Sequence, residues 1–365
     1  MSATMTAPAG SPGSVLTRSD RIIVFGGAVA VVLAGVTRYI NLGPVTAFAV
    51  SAVAVAMLAS LVGRSVEQLG DRFGAGATGV LQSALGNLPE LFIGIFALRA
   101  GLVQVVQAAL IGSILGNILL VLGLAFLVGG LKHGRQQFDS TRARTAVAML
   151  ILAVAAMVVP SLAHLVHTPA ASHEKALSSI VAVVLLIVFA CSVPASIRRA
   201  PDEKPDHEAE APRWPLWLSI GLLTVASVVA ALVSDWFVHA LTPAIDALHI
   251  SQAFAGLVIV AIAGNAVENV VGIQLAARNQ SDYALSVIIN SPLQIALVLA
   301  PVLVLLSTVI GGATLTLVFA PMLVAAVALS VITVAFIIID GESVWLEGAA
   351  MLGLYGVIAA SFWWG

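Results

Sequence analysis

From Ile22 almost to its last residue this chain is a succession of long apolar runs, interrupted at intervals by the charges, prolines and glycines. A bilayer's hydrocarbon core is about 30 Å thick and takes roughly 20 apolar residues to cross as a helix. Eleven such runs are read, near residues 22–38, 45–63, 75–98, 102–130, 145–166, 176–197, 215–234, 251–277, 284–308, 313–338 and 344–364. They are continuous instead of alternating, which argues against a transmembrane barrel. Only 9% of the 365 residues are charged, against about 25% in soluble domains, so lipid has to be the solvent for most of the surface. The expected fold class is all-α integral membrane, with about eleven transmembrane helices.

The basic residues give these helices a direction. If the N-terminus is cytosolic, 13 of the 16 Lys/Arg residues fall at cytosolic ends, and only Arg38, Arg99 and Lys175 fall outside. The positive-inside rule therefore orients the chain with its N-terminus in the cytosol and its C-terminus outside. In a prokaryote the membrane would be the cytoplasmic one. Residues 1–20, rich in Ala, Ser, Gly, Thr and Pro, read as a disordered cytosolic tail. That tail lacks the pattern of a cleaved signal peptide, so the first helix, within 21–44, is expected to stay. A charged cytosolic linker, 198–214, separates a first five-helix unit (45–197) from a second (215–365). Trp214, Trp217 and the terminal Phe362-Trp363-Trp364 read as interfacial anchors. A net charge of −2 gives no reason to expect nucleic-acid binding, and the lone Cys191 precludes an intramolecular disulfide.

The two units are related. GNLPELFIG begins at Gly86 and GNAVENVVG at Gly264, both reading G-N-x-x-E-x-x-x-G, 178 residues apart; the same offset carries Ser113 onto Ser291 and Leu115 onto Leu293. Glu90 falls on the third span and Glu268 on the eighth. The eighth span comes five after the third, an odd offset, so the copies cross the membrane in opposite directions. One N-terminal helix followed by two inverted five-helix repeats is an architecture of secondary transporters, whose ion site lies at the midplane where the repeats meet.

The repeated residues carry hard-ion chemistry. On a helix Asn87 and Glu90 share a face, as do Asn265 and Glu268, so each motif offers an amide oxygen beside a carboxylate. Ser113, Asn117, Ser291 and Gln294 are weaker candidates on the following spans. Pro89 and Pro292 each remove a backbone donor and loosen the helix nearby. Such oxygens suit Ca²⁺, which takes six to eight of them in flexible geometry. No His or Cys stands with them as zinc or copper would require. Each ionised acid at mid-bilayer costs about 2.5–3.5 kcal/mol on insertion scales, so two of them at equivalent places call for a function. Two glutamates neutralise one divalent ion, and when it leaves, two close carboxylates in a low dielectric favour taking up protons. Glu67 and Asp235 are read at the ends of the second and seventh spans, as solvated acids or as acids of an ion pathway.

At these motifs the sequence resembles the calcium/proton exchanger family of the cation/calcium antiporter superfamily. The likeness runs from Glu67 to Gly123 through GNLPELFIGIFALRAG and GSILGNILLVLG. It resumes from Val233 to Pro301 through VSDWFVHAL, GNAVENVVGIQLAARNQSDYAL and SPLQIALVLAP. The resemblance implies eleven helices, alternating access and Ca²⁺ bound by Glu90 and Glu268. It further implies a site lined by Asn87, Asn265, Ser113, Asn117, Ser291 and Gln294, with Glu67 and Asp235 at acidic positions flanking the cavity. Pro89 stands where that family usually has Thr, Val or Ala, and Asn290-Ser291-Pro292 where it usually has Gly-Ser-Ser.

The leading expectation is a Ca²⁺/H⁺ antiporter set in the lipid bilayer, with no nucleic-acid partner and no cofactor. The alternatives are a Na⁺(K⁺)/H⁺ or Na⁺/Ca²⁺ antiporter of the same fold, and a passive cation channel. A channel has no need of an inverted repeat. An enzyme is not expected, because neither HExxH nor a Ser/His constellation occurs.

Overall fold

Apolar runs of this length can satisfy their backbone in lipid only by coiling into helices, and the computed structural model is built almost wholly of them. It describes residues 16–40, 42–70, 72, 81, 85–197 and 213–364, with the backbone alone at 193–197, 267 and 268. The first half holds α1 (Arg18–Tyr39), α2 (Pro44–Gly70), α3 (Leu88–Arg99), α4 (Val103–His133), α5 (Ser140–Leu165) and α6 (Glu174–Ile197). The second holds α7 (Leu216–Leu248), α8 (Gln252–Gly264), α9 (Ala266–Ala276), α10 (Ser281–Ser307), α11 (Pro321–Ile338) and α12 (Trp345–Phe362). Among the described residues nine helices are long and apolar enough to span, or ten if the bent pair α8 and α9 is one span. Most of the expected third span before Leu88, and most of the 198–214 linker, lie outside the described residues.

Local chemistry sets the ends. Thr17 and Asp20 cap α1 reciprocally, each side chain accepting from the other's backbone N–H, so the helix begins inside the stretch read as a tail. Asp139 caps α5 by accepting from the N–H groups of Thr141 and Arg142. On the helices' outward faces stand large apolar side chains such as Ile22, Phe25, Val29 and Val32, as expected of surfaces that meet lipid. Small residues let helices approach elsewhere. α2 and α7 pack along their length, and the Phe48 and Phe237 rings stack at 4.9 Å. α4 and α8 cross with backbone against backbone at Gly112 and Gly256, where a Cβ would meet the carbonyls of Leu257 and Val105.

Four expectations change. The seventh span does not stop at residue 234, because α7 continues to Leu248; Asp235 is therefore a half-buried acid in mid-helix instead of a solvated end. The tenth does not start at 313, because α11 begins at Pro321 and residues 313–320 are not helical. That irregular backbone is tolerated because buried side chains satisfy it. Gln107 donates to the carbonyls of Thr316 and Val318, Ser161 donates to Leu317 and accepts from Phe319, Ser178 accepts from Leu317, and Ser307 accepts from Leu315. Trp214 is buried instead of interfacial. Phe362 is buried as well, while Trp217, Trp363 and Trp364 are exposed. Finally, the eighth span is not straight: α8 and the run Asn269–Ala277 diverge by 64°.

Candidate functional site

That bend falls on the repeated motif. Asn265 ends α8 with φ −93° and ψ 21°, and Asn87, just before α3, has φ −94° and ψ 19°. Both asparagines thus occupy the sparsely allowed bridge region in which many functional residues sit. The motif's asparagine stands at a break instead of on a helix face, and the glutamate is the third residue of the helix that follows, Glu90 in α3 and Glu268 in α9. Pro89 sits in the first turn of α3, where its missing N–H is no loss. The side chain of Glu268 lies outside the described residues.

Around Asn265 the two halves meet. Its amide donates to Ser113 Oγ at 2.9 Å and to the carbonyl of Ala261 at 2.9 Å. Its oxygen accepts from Asn117 at 3.1 Å and from Ser291 Oγ at 3.2 Å. Asn117 also donates to the carbonyl of Ser113 at 2.8 Å. All four side chains are buried. Asn117 lies in a π turn of α4, Gly116–Val121, and α10 has another at Ile295–Leu299 directly after Gln294. A π turn widens a helix locally and often marks a functional position. Gln294 is half-buried and stands outside the hydrogen-bonded set.

Glu90 comes to this cluster from the other half. A Cβ on Gly264 would lie 2.6 Å from Glu90 Cγ and 2.7 Å from Oε1, so the first motif's carboxylate rests on the second motif's glycine. A cavity of about 30 Å³ adjoins, lined by Glu90 and Ser113 among apolar residues of α3, α4, α8 and α10. Asn87 is buried, and among the described residues its side-chain nitrogen has no hydrogen-bond partner; nor has the buried side-chain oxygen of Asn117. Sequence reasoning missed Asn269, whose buried amide oxygen is likewise without a partner; its signal was an extra amide directly after Glu268.

The flanking acids lie apart from this cluster. Glu67, near the end of α2, pairs with Arg64 at 2.7 Å and is half exposed. Asp235 lies on α7. The structure therefore brings together Glu90, Ser113, Asn117, Asn265 and Ser291, and leaves Glu67 and Asp235 in separate surroundings.

Broken helices related by a repeat, meeting around a carboxylate and amides inside a lipid-facing helical body, are the marks of a secondary transporter. The family model described as sodium/calcium exchanger protein matches residues 44–198 and 218–364. The Ca(2+)/H(+) antiporter of Aphanothece halophytica is 33% identical over 93% of this chain and 96% of its own length. The Ca(2+)/H(+) antiporter ChaA of Bacillus subtilis is 37% identical over 86% of this chain and 91% of its own. The solved structure of native YfkE matches with a TM-score of 0.80 at 33% identity, covering 94% of this chain and 99% of that one. This chain belongs to the sodium/calcium exchanger family, in its calcium/proton exchanger branch.

Proposed function

We propose that the protein is a secondary active antiporter that exchanges Ca²⁺ for H⁺ by alternating access. The observation that carries this reading is the seating of Glu90 on Gly264 beside the Ser113–Asn117–Asn265–Ser291 cluster, which gathers oxygen donors from both repeats. The naming of its relatives as Ca(2+)/H(+) antiporters supports the choice of ions. Glu90 and Glu268 are the charged ligands and the proton carriers. Asn87, Asn265, Ser113, Asn117, Ser291 and Gln294 supply neutral oxygens, and the partnerless oxygen of Asn117 fits a hard cation. Hydrogen bonding within the cluster fixes the amides in place, so little ordering is needed when the ion arrives.

Coupling follows from charge. With Ca²⁺ bound, the two carboxylates are neutralised by the ion. Without it, they are neutralised by protons, because two ionised acids at membrane depth are costly. The unloaded and doubly charged site is the state least able to cross, so each change of access carries one cargo or the other. The Lys/Arg distribution supports a cytosolic N-terminus and an outside C-terminus, and in a prokaryote the membrane would be the cytoplasmic one. Substitution tests the core of the reading: Glu90→Gln and Glu268→Gln should each abolish Ca²⁺/H⁺ exchange while the protein still folds and inserts. Near-normal exchange in either variant would refute the two-carboxylate mechanism.

A further inference from the structure

The two helices that carry the repeated glutamates end alike. At the end of α3 the N–H groups of Gly101 and Leu102 turn back to the carbonyls of Leu98 and Ala97, at 3.1 and 2.8 Å. At the end of α9 those of Asn279 and Gln280 turn back to Ala276 and Leu275, both at 3.0 Å. Gly101 and Asn279 take the left-handed conformation, φ 78° and 62°, that closes a helix in this way. Each of these positions maps onto its counterpart by the motif's own offset of 178. A carbonyl has two lone pairs, and in both helices the second is met from the other half of the protein. Leu98 accepts from the backbone N–H of Ala313 at 3.0 Å. Ala276, its counterpart, accepts from the Gln136 side chain at 3.4 Å.

The two ties differ in kind. The tie on α3 joins backbone to backbone, with Gly312 seated where a Cβ would lie 2.7 Å from both Leu98 O and Arg99 Cα. The tie on α9 is a side chain on a fixed platform. Gln136 is buried, and its amide lies so close over Gly129 of α4 that a Cβ there would collide with it. Its backbone belongs to a short antiparallel ribbon in which Gln136 and Gln137 pair with Ser343 and Glu342. Arg135 pairs with Glu342 at 2.6 Å, and Phe138 donates its N–H to Gly341 and stacks on Phe126. His133 Nε2 stands 3.1 Å from the next carbonyl of the same helix end, Ala277, but that ring is exposed.

Helix α9 does not inherit its direction from α8, because the chain bends by 64° between them. Its 11 residues span about 16 Å, hinged at one end and therefore set by what holds the other. Glu268 lies in its first turn and Ala276 is its last residue. A swing about the bend moves that first turn, and Ca²⁺ tolerates only about 0.3 Å of spread in its oxygen distances. We propose that Gln136 is a positioning residue for Glu268: an amide of the first half holds the far end of the helix that bears the second half's acid, and so fixes where that acid meets the ion. This rests on the antiport reading. Gln136 itself touches neither the ion nor a proton carrier.

The test is equilibrium Ca²⁺ binding to the purified protein, with calcium chloride as the probe, which can be read even in variants that do not exchange. Gln136→Met keeps the length of the side chain and loses the donor. It should weaken binding about two- to tenfold, the factor to which one neutral hydrogen bond converts. Gly129→Ala, which pushes the amide off Ala276, should do the same, and the double variant should be no worse than the weaker-binding single one. The factor should persist in a Glu90→Gln background and vanish in Glu268→Gln, because only the second acid rides on α9. A role in folding alone would weaken both backgrounds alike. Unchanged binding in Gln136→Met, effects that multiply in the double variant, or an equal loss in the two backgrounds would overturn the proposal. If the unsubstituted protein binds no Ca²⁺ at all, it is the antiport reading that fails.

Discussion

Replacing Gly264 by alanine tests whether the two motifs are in register. The new methyl group would lie 2.6 Å from Glu90 Cγ and 2.7 Å from its Oε1. Ordinary contact begins near 3.4 Å, so one of the two must retreat by about 0.8 Å. Glu90 yields more readily than the backbone of α8, because a side chain can turn about its own bonds. The fold should therefore survive while the carboxylate leaves its place among Ser113, Asn117 and Asn265. Misplacements of about 1 Å at a reacting centre can cost on the order of 100-fold. Gly264→Ala should accordingly lower exchange at subsaturating Ca²⁺ by about 10- to 100-fold, with the purified protein still monodisperse and its melting temperature within a few degrees. Gly94→Ala is the control, since its Cβ would press on the Leu303 side chain, 2.8 Å from Cδ1, and not on an acid. Exchange by Gly264→Ala equal to that of Gly94→Ala would refute the seating of Glu90 on the second motif.

Two further outcomes are expected. Equilibrium Ca²⁺ binding to purified protein should weaken as pH falls, with the slope of log affinity against pH approaching two where binding one ion must displace two protons; these titrations belong to the pair of glutamates and to neither alone. A pH-independent affinity would end direct competition. Cysteines at Lys204 and Gly365, in a Cys191→Ser background, should be labelled from opposite sides of the membrane, and labelling of both from one side would remove the odd span count between them and with it the inverted repeat.

Much of the site was legible because its residues recur. Glu90, Glu268, Asn87 and Asn265 announce themselves through one motif at one offset, and Ser113 and Ser291 share that offset. What hydropathy could not give was backbone geometry. A broken helix is as apolar as a straight one, so hydropathy alone does not show the bend at Asn265 or the matching non-helical backbone at Asn87, although Gly-Asn before each helix is a turn signal. Residues 313–320 are apolar enough to pass for a helix. Their signal lay in alternation, since Leu315, Leu317 and Phe319 are buried and Thr316 and Val318 between them are half-buried. Asp235 read as the end of a span because a charge usually is one, yet α7 carries it half-buried. The pairing of Asp20 with Arg64 was invisible because only folding joins them across 44 positions, whereas Arg64 and Glu67 lie three apart on one helix.

The central claim is that Ca²⁺ and protons take turns on the same pair of acids, and proton movement across sealed vesicles reads it most directly. With a pH-sensitive dye trapped inside, Ca²⁺ added to vesicles holding an acid interior should drive protons out. The response should be lost in Glu90→Gln and Glu268→Gln, and Na⁺ or K⁺ added in turn should not reproduce it. Proton efflux driven by Na⁺ or K⁺ and not by Ca²⁺, or Ca²⁺ uptake with no accompanying proton flux, would contradict it.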